Sequence, residues 1–264
     1  MSNISNKFKK RKKAIELIKS INENPSGYLL IHYSCESFID TPNGNTPRVT
    51  SIAVRYFDSA QTKSFSIHKM AELNNISTKD IYNHYDKLER EMLHSFFDFV
   101  KNHLSYKWIH INMRDINYGF EAIEHRYSVL GGEPITINDN LKIDFARILI
   151  DKYGTTYSSH PRFETLYKRN KLTMLNFLTG KEEALAFQNR EYVKLHLSTL
   201  RKIDNLHNIV IRDYDGNLKT DFSFIKFYGY SPQGIFYLIQ ESWFFALLSV
   251  IAVIIISFII GKLF

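Results

Sequence analysis

The longest apolar run of the chain lies at its C-terminal end. Residues 242–260 read SWFFALLSVIAVIIISFII and contain no charged side chain. A helix rises about 1.5 Å per residue, so this run covers most of a hydrocarbon core about 30 Å thick. Trp243 and Lys262 suit the two membrane interfaces. The pattern predicts one transmembrane helix, because the alternative, a buried helix of a soluble core, usually keeps a polar stripe.

Upstream of this run, short apolar segments alternate with turn signals. Strand-forming residues dominate positions 28–34, 49–57 and 62–68, and breaks rich in Pro, Gly, Asn, Asp and Ser separate them. Three consecutive strands joined by turns predict an antiparallel meander.

The spacing of apolar residues then becomes helical. Positions 88–104 predict an amphipathic helix, 107–112 a fourth strand, 117–130 a second helix and 181–207 a long helix. Residues 213–240 are aromatic and predict a loop-like segment beside a membrane. We therefore expect an α/β fold with a basic segment at 1–27, an α/β domain at 28–212, a juxtamembrane region at 213–241 and a transmembrane helix at 242–260.

Charge adds a candidate binding segment near the N-terminus. The formal net charge is +7, and a dense cationic run contributes to it. The residues of this run expected to bind a polyanion are Lys9, Lys10, Arg11, Lys12 and Lys13. Nucleic acid phosphates and anionic lipid headgroups both attract such a segment. The apolar positions of residues 14–21 predict a short helix that either lies on lipid or packs on the domain.

The charge distribution and the cysteine content predict a location for the bulk of the chain. Basic residues tend to stay on the cytoplasmic side of a membrane, and only a few residues follow the apolar run. Cys35 is the only cysteine, which excludes an internal disulfide framework and agrees with a reducing compartment. We expect a single-pass membrane protein with its bulk in the cytosol.

Polar residues follow two of the predicted strands and also occur along the predicted long helix. The first strand ends in Ser34-Cys35-Glu36, and the fourth is followed by a segment that contains Asp115. On the long helix, His196 lies one turn after Tyr192, and Asp204 lies two turns further on. Each has an ordinary structural interpretation as well: Glu36 as a solvated strand end, Asp115 as a helix cap and His196 as a packed histidine.

The order of elements and these motifs resemble the ribonuclease H-like superfamily, and within it the DEDD-type 3′–5′ exonucleases. The resemblance covers about residues 28–207 and implies two divalent metals, Mg²⁺ or Mn²⁺, held by carboxylates. It implies that Glu36 and Asp115 are metal ligands and that His196 and Asp204 belong to the last catalytic motif. Ser34 stands where the family has its first Asp, so one metal ligand is missing.

Three functions are consistent with these patterns. The first is a membrane-anchored protein that binds nucleic acid and cuts it weakly, or only with a partner that completes the site. The second is a catalytically inactive sensor or membrane effector, for which antiviral defence is a fold-level analogy; a lipid-surface scaffold is a third class. Small residues at 249, 257 and 261 share one face of the apolar helix and predict a homo-oligomer through that helix.

Overall fold

A five-stranded mixed sheet forms the centre of the protein. The computed structural model describes residues 3–36, 46–114 and 118–263. The strands are β1 (Tyr28–Cys35), β2 (Val49–Tyr56), β3 (Thr62–Ser66), β4 (Lys107–His110) and β5 (Lys142–Asp144), in the spatial order β3-β2-β1-β4-β5. β1, β2 and β3 pair antiparallel, whereas β4 runs parallel to β1 and β5 parallel to β4. The predicted α/β class is confirmed, and so is the antiparallel meander of the first three strands.

Helices surround the sheet and continue to the C-terminus. They are α1 (Asn3–Glu23), α2 (Ile67–Leu73), α3 (Tyr85–Lys101), α4 (Phe120–Val129), α5 (Phe145–Tyr153), α6 (Arg162–Arg169), α7 (Gly180–Gln188), α8 (Tyr192–Tyr214), α9 (Phe224–Tyr228), α10 (Pro232–Glu241) and α11 (Trp243–Leu263). Several of the connections are short, which places consecutive elements next to one another in space.

The two faces of the sheet carry separate hydrophobic cores. Because side chains alternate along a strand, Leu30 of β1 points into one core while Leu29 and Ile31 point into the other. The first core contains residues of α1, α5 and α8, and the second contains residues of α3 and α4. The sheet is therefore covered on both faces, as its nearly continuous apolar strands require.

Helix α1 is longer than the sequence pattern predicts, and it packs on the domain. Its buried positions Arg11, Ala14, Ile18 and Ile21 recur at helical spacing, and the three apolar ones join the core shared with α5 and α8. The structure therefore adds α1 to the α/β domain. Lys9, Lys10, Lys12 and Lys13 remain on its exposed side.

The long helix predicted at residues 181–207 is two helices. The first, α7, ends at Gln188, and Arg190 adopts a positive φ of 60° before α8 begins. The break lets both Phe187 and Tyr192 place their rings 5.8 Å from that of Tyr85. Aromatic packing across three helices thus overrides a locally continuous helical pattern.

The aromatic segment predicted as loop-like at residues 213–240 also differs from the prediction. Helix α8 extends to Tyr214, and the short helices α9 and α10 follow. Ser231 caps α10 by accepting a hydrogen bond from the backbone N–H of Gly234 at 3.1 Å, and Pro232 occupies its first turn. Phe227, Tyr228 and Leu238 form the small core of this region.

Helix α11 contains the apolar run. Among the described residues, Trp243–Ile260 is a helical segment long and apolar enough to cross a membrane, and none of it is buried against the rest of the protein. Its side chains are the largest exposed apolar surface of the described chain. In water such a surface is unfavourable, so it requires lipid or another apolar partner.

Candidate functional site

A cavity opens at the carboxyl ends of the parallel strands. It encloses about 840 Å³ and is bounded by β1, by the residues that follow β4, and by α5 directly after β5. The beginnings of α6 and α7 and the middle of α8 form its other walls. In sheets of this kind the carboxyl edge of parallel strands is where ligands commonly bind.

The charged residues that line the cavity are mostly cationic: Arg114, Arg162, Lys181, Lys202 and Glu164. Arg114 is neutralised by Asp144, with Nε 2.7 Å from Oδ2. Arg162 and Lys181 form no ion pair with any described residue, and the buried Nε of Arg162 has no hydrogen-bond partner there. A group with unused donors in a cavity is suited to bind an anion.

His32 faces this cavity from β1. Burial lowers its pKa well below the usual value, and the ammonium of Lys202 lowers it further. Its imidazole is therefore neutral at physiological pH, and the buried Nε2 has no hydrogen-bond partner among the described residues. A neutral imidazole can accept or donate one hydrogen bond to a ligand without adding charge.

Lys202 is held at the cavity by a buried carboxylate that the sequence patterns did not reveal. Its Nζ lies 2.7 Å from Oε1 of Glu183, whose side chain is fully buried between α7 and α8. Ser198, one turn before Lys202, donates a hydrogen bond to the same oxygen at 2.9 Å and accepts one from the backbone of Leu178 at 3.1 Å. The network joins α7 to α8 and positions the Lys202 ammonium. Its sequence signal was weak: a Ser and a Lys four residues apart, and a Glu at an inward position of α7.

An aromatic wall completes the cavity. Its members are Tyr157, Phe163, Tyr167 and Phe177. The ring of Tyr167 lies 6.0 Å from that of Phe163 and 5.9 Å from that of Phe177, centroid to centroid. Burial raises the pKa of Tyr157 to about 12 and also raises that of Tyr167, so both keep their hydroxyl protons at neutral pH. The cavity thus combines cations with flat apolar surfaces.

Of the two predicted metal ligands, Glu36 lies among the described residues and Asp115 does not. Glu36 directly follows β1, and its carboxylate accepts a hydrogen bond from the backbone N–H of Arg48 at 3.4 Å. It lies at the β2 side of the strand end and does not line the cavity. Ser34, in the place of the family's first Asp, is fully buried. Asp115 lies outside the described residues, so its part of the prediction stays a prediction.

The residues that flank the segment containing Asp115 contact the ends of two strands, β5 on one side and β1 on the other. Arg114 pairs with Asp144, and Tyr118 stacks on Tyr33 with ring centroids 4.5 Å apart. Tyr118 also donates a hydrogen bond to the carbonyl of Tyr33 at 3.2 Å. Asp144 itself accepts a hydrogen bond from the backbone N–H of Ala146 at 3.0 Å and so caps α5.

His196 and Asp204, which the resemblance assigns to the last catalytic motif, contact other side chains and not a shared site. His196 is buried against His68 of α2, with ring centroids 5.0 Å apart, and burial lowers its pKa to about 4, with smaller contributions from His68 and Lys69. The carboxylate of Asp204 lies 3.2 Å from Arg55 and 2.9 Å from Arg201. Within the part of the chain that the structure describes, no group of three or more His, Cys, Asp or Glu side chains is arranged to hold a metal ion.

The basic run on α1 is divided between two environments. Lys9, Lys10, Lys12 and Lys13 are exposed, whereas Arg11 is buried and pairs with Glu241 at 2.7 Å. The Arg11 guanidinium also lies over the ring of Phe222, 4.5 Å from its centroid. Arg11 was expected to contact a polyanion with its neighbours; the structure directs it inward instead, because one position in this helical run faces the protein.

No protein-family model matches the chain, and neither a curated protein nor a solved structure matches it.

Proposed function

We propose that this chain is a membrane-anchored sensor domain that binds single-stranded nucleic acid through phosphate groups in the cavity at the carboxyl ends of β1 and β4. The observation that carries the proposal is the pair Arg162 and Lys181, two cations on the cavity wall with no anionic partner among the described residues. Lys181 lies in the first turn of α7, and its side chain is exposed.

The aromatic wall favours nucleic acid over a simple inorganic anion. A nucleotide carries a flat base next to its phosphate, and the base can stack on one of the partly exposed rings, Phe163 or Phe177. Base stacking on an aromatic side chain contributes about 1–3 kcal/mol per base. A cavity of about 840 Å³ accommodates one or two nucleotides but not a duplex, which favours single-stranded segments and ends.

The sheet supports the resemblance to the ribonuclease H-like superfamily. That resemblance predicts three antiparallel strands followed by strand–helix units, and the order β3-β2-β1-β4-β5 with parallel β4 and β5 is consistent with it. The charge distribution and the single cysteine favour a cytosolic location for the bulk of the chain, and a role in antiviral defence is an analogy at the level of the fold.

Binding is favoured over cleavage by the side chains at the strand end. Two-metal catalysis requires several carboxylates around the ions. Ser34 replaces one of them, and Asp204 is occupied by Arg55 and Arg201. A metal-dependent nuclease is the second candidate, and it is favoured by Glu36, which directly follows β1 as the resemblance requires.

The binding proposal is tested with full-length protein in detergent and fluorescent oligonucleotides of single-stranded and duplex DNA and RNA. We expect the double variant Arg162→Met with Lys181→Met to bind single strands at least about tenfold more weakly at low salt. The slope of the logarithm of its binding constant against the logarithm of salt concentration should correspond to about two fewer released counterions. The matched control is Lys87→Met with Lys101→Met, which removes two exposed cations from α3. Equal affinity of both double variants would contradict the proposal.

A cleavage assay decides between the two candidates. The same oligonucleotides are incubated with Mg²⁺ or Mn²⁺, and the products are compared for the unmodified chain, Glu36→Gln and Asp115→Asn. Binding without cleavage supports the sensor. If Glu36→Gln and Asp115→Asn each abolish cleavage and leave the free energy of unfolding unchanged, the nuclease is established and the sensor is overturned. If cleavage survives in both variants, it has another source.

A further inference from the structure

The outward side of α10 carries no charged residue: it exposes Ile235 and Phe236 together with the uncharged polar residues Gln233 and Gln240. Ile235 is 45 % exposed and Phe236 56 %, while the opposite side buries Gly234 and Leu238 against the protein. The one charged residue of α10, Glu241, is directed inward to Arg11. A helix on the surface of a soluble protein usually has the reverse arrangement, with its charges outward. The outward side of α10 is thus suited to a nonpolar environment.

Helix α10 leads directly into the apolar helix. Ser242 alone separates Glu241 from Trp243, the first residue of α11. Trp243 is 78 % exposed, and Tyr230, just before α10, is 79 % exposed. Tyrosine and tryptophan are the residues most enriched at the headgroup level of a bilayer. The exposed apolar side chains of α10 lie within one or two turns of that level.

The cationic end of α1 is fastened to the same place. Phe8 stacks on Tyr237 of α10 with ring centroids 4.3 Å apart, and the ammonium of Lys7 donates a hydrogen bond to the carbonyl of Phe227 at 3.3 Å. With the Arg11–Glu241 pair, these contacts hold residues 7–11 against α9 and α10. Of the exposed lysines on this part of α1, Lys12 lies over the ring of Phe8, 4.7 Å from its centroid, whereas Lys10 and Lys13 border a cleft lined by β5 and α5.

We infer that α10 and the exposed lysines of α1 form one membrane-surface contact, in which Ile235 and Phe236 enter the headgroup region and the lysines bind anionic lipid headgroups. The inference rests on the proposed anchoring by α11 and adds a fixed orientation of the domain on the bilayer. Anionic lipid is favoured over nucleic acid because the Lys12 ammonium lies 4.7 Å from the ring centroid of Phe8, and Phe8 stacks on Tyr237 of α10, the helix that exposes Ile235 and Phe236. Cations next to exposed apolar side chains suit a bilayer and not a polyanion in water.

The contact is measured by fluorescence quenching in proteoliposomes. The full-length chain is labelled with an environment-sensitive fluorophore after Phe236→Cys, Leu73→Cys or Val253→Cys, since Cys35 is buried and the unmodified chain serves as the labelling blank. The liposomes are phosphatidylcholine with or without phosphatidylglycerol and contain a lipid with a nitroxide on its acyl chain. Leu73 is an exposed residue of α2, and Val253 lies within α11.

Three positions give three distinguishable results. We expect quenching at position 236 to exceed that at position 73 by about fivefold, because an interfacial helix sits about 5–10 Å into the headgroup and acyl boundary. Quenching at 253 with none at 236 would overturn the surface contact and leave the anchor intact. No quenching at 253 would overturn the anchor, and with it the premise of the contact.

The lysines are tested with a charge-matched pair of variants. Each lysine near an anionic surface contributes about a fivefold preference for it. Substitution of Lys9, Lys10, Lys12 and Lys13 by Gln should remove the increase in quenching at 236 that phosphatidylglycerol produces. Substitution of Lys63, Lys69, Lys79 and Lys87 by Gln changes the net charge equally and should leave the increase unchanged. If the two variants behave alike in liposomes, or only oligonucleotide binding falls, the lipid assignment of the lysines is overturned.

Discussion

Arg11 and Glu241 form an ion pair with Nε 2.7 Å from Oε2, and it joins the first helix of the chain to the last residue of α10. Both side chains are about nine-tenths buried, and the guanidinium also donates a hydrogen bond to the carbonyl of Lys152. The pair therefore links α1, α5 and α10 just before the apolar helix.

Breaking this pair should destabilise the protein. Arg11→Met leaves Glu241 as a buried charge without its partner, and a loss of about 3 kcal/mol in the free energy of unfolding is expected. Urea unfolding in detergent measures it, with Lys12→Met on the exposed side of α1 as the control. Arg11→Met combined with Glu241→Leu should cost less than the sum of the single changes, and an additive result would count against direct coupling.

Stability should fall in acid because of His196. The pKa of His196 is about 4 in the folded chain and 6.5 ordinarily, so the unfolded chain binds the proton more readily between these values. The contribution is complete above about pH 6.5, and up to about 3 kcal/mol is lost as the pH falls toward 4.

The effect of His196 can be separated from general acid effects by substitution. His196→Leu should reduce the dependence of the urea midpoint on pH in this window, whereas His125→Leu, at an exposed position of α4, should not. Burial also lowers the pKa values of His32, His68, His110 and His207, and these histidines would keep the rest of the slope. Identical slopes for the unmodified chain and His196→Leu would refute the assignment.

Removal of residues 242–264 should release the chain from membranes. The deletion removes α11 and leaves the cores on both faces of the sheet intact, along with Glu241. Any remaining attachment through the lysines of α1 should be lost in a salt wash, because salt screens contacts between exposed charges. Membrane flotation of the truncated chain is the measurement, and a truncated chain that floats after the wash would show that α11 is not the main anchor.

The homo-oligomer expected through α11 should depend on its face of small residues. Ser257→Leu with Gly261→Leu should reduce crosslinked species in membranes, because small residues let helix backbones approach closely in lipid. Ile255→Leu with Ile259→Leu alters the opposite side of the helix and is the control. The hydroxyl of Ser249, on the small-residue face, is already bonded within α11 to the carbonyl of Ala246 at 2.7 Å. An unchanged oligomer distribution would argue against this face.

Most strands and the apolar helix could be predicted because their signals are local. The strand formers of β1 and β2 and the turns between them are contiguous in the sequence, and so is the run that forms α11. The end of β3 was predicted too late: it stops at Ser66, and the next residues form α2, where Ile67 and Ala71 are buried at helical spacing. Both patterns are apolar there, so only packing distinguishes them.

The cavity depended on relationships that no local pattern contains. Its cations Arg114, Arg162, Lys181 and Lys202 come from segments after β4 and from α6, α7 and α8, and their proximity follows from the way these elements pack on the sheet. Glu183 is in an ordinary helical sequence and becomes a buried ion-pair partner only because α8 covers it.

The sequence by itself determined the α/β class, the apolar helix and the dense positive charge near the N-terminus, since each depends on side-chain type and on spacing within one segment. The tertiary structure alone decided which charges point inward and which outward. Arg11 and Lys12 are adjacent in one basic run, yet a rotation of about 100° per residue buries the first beside Glu241 and exposes the second. A burial direction is set by the surface against which a helix packs, and that surface is made of residues distant in the sequence.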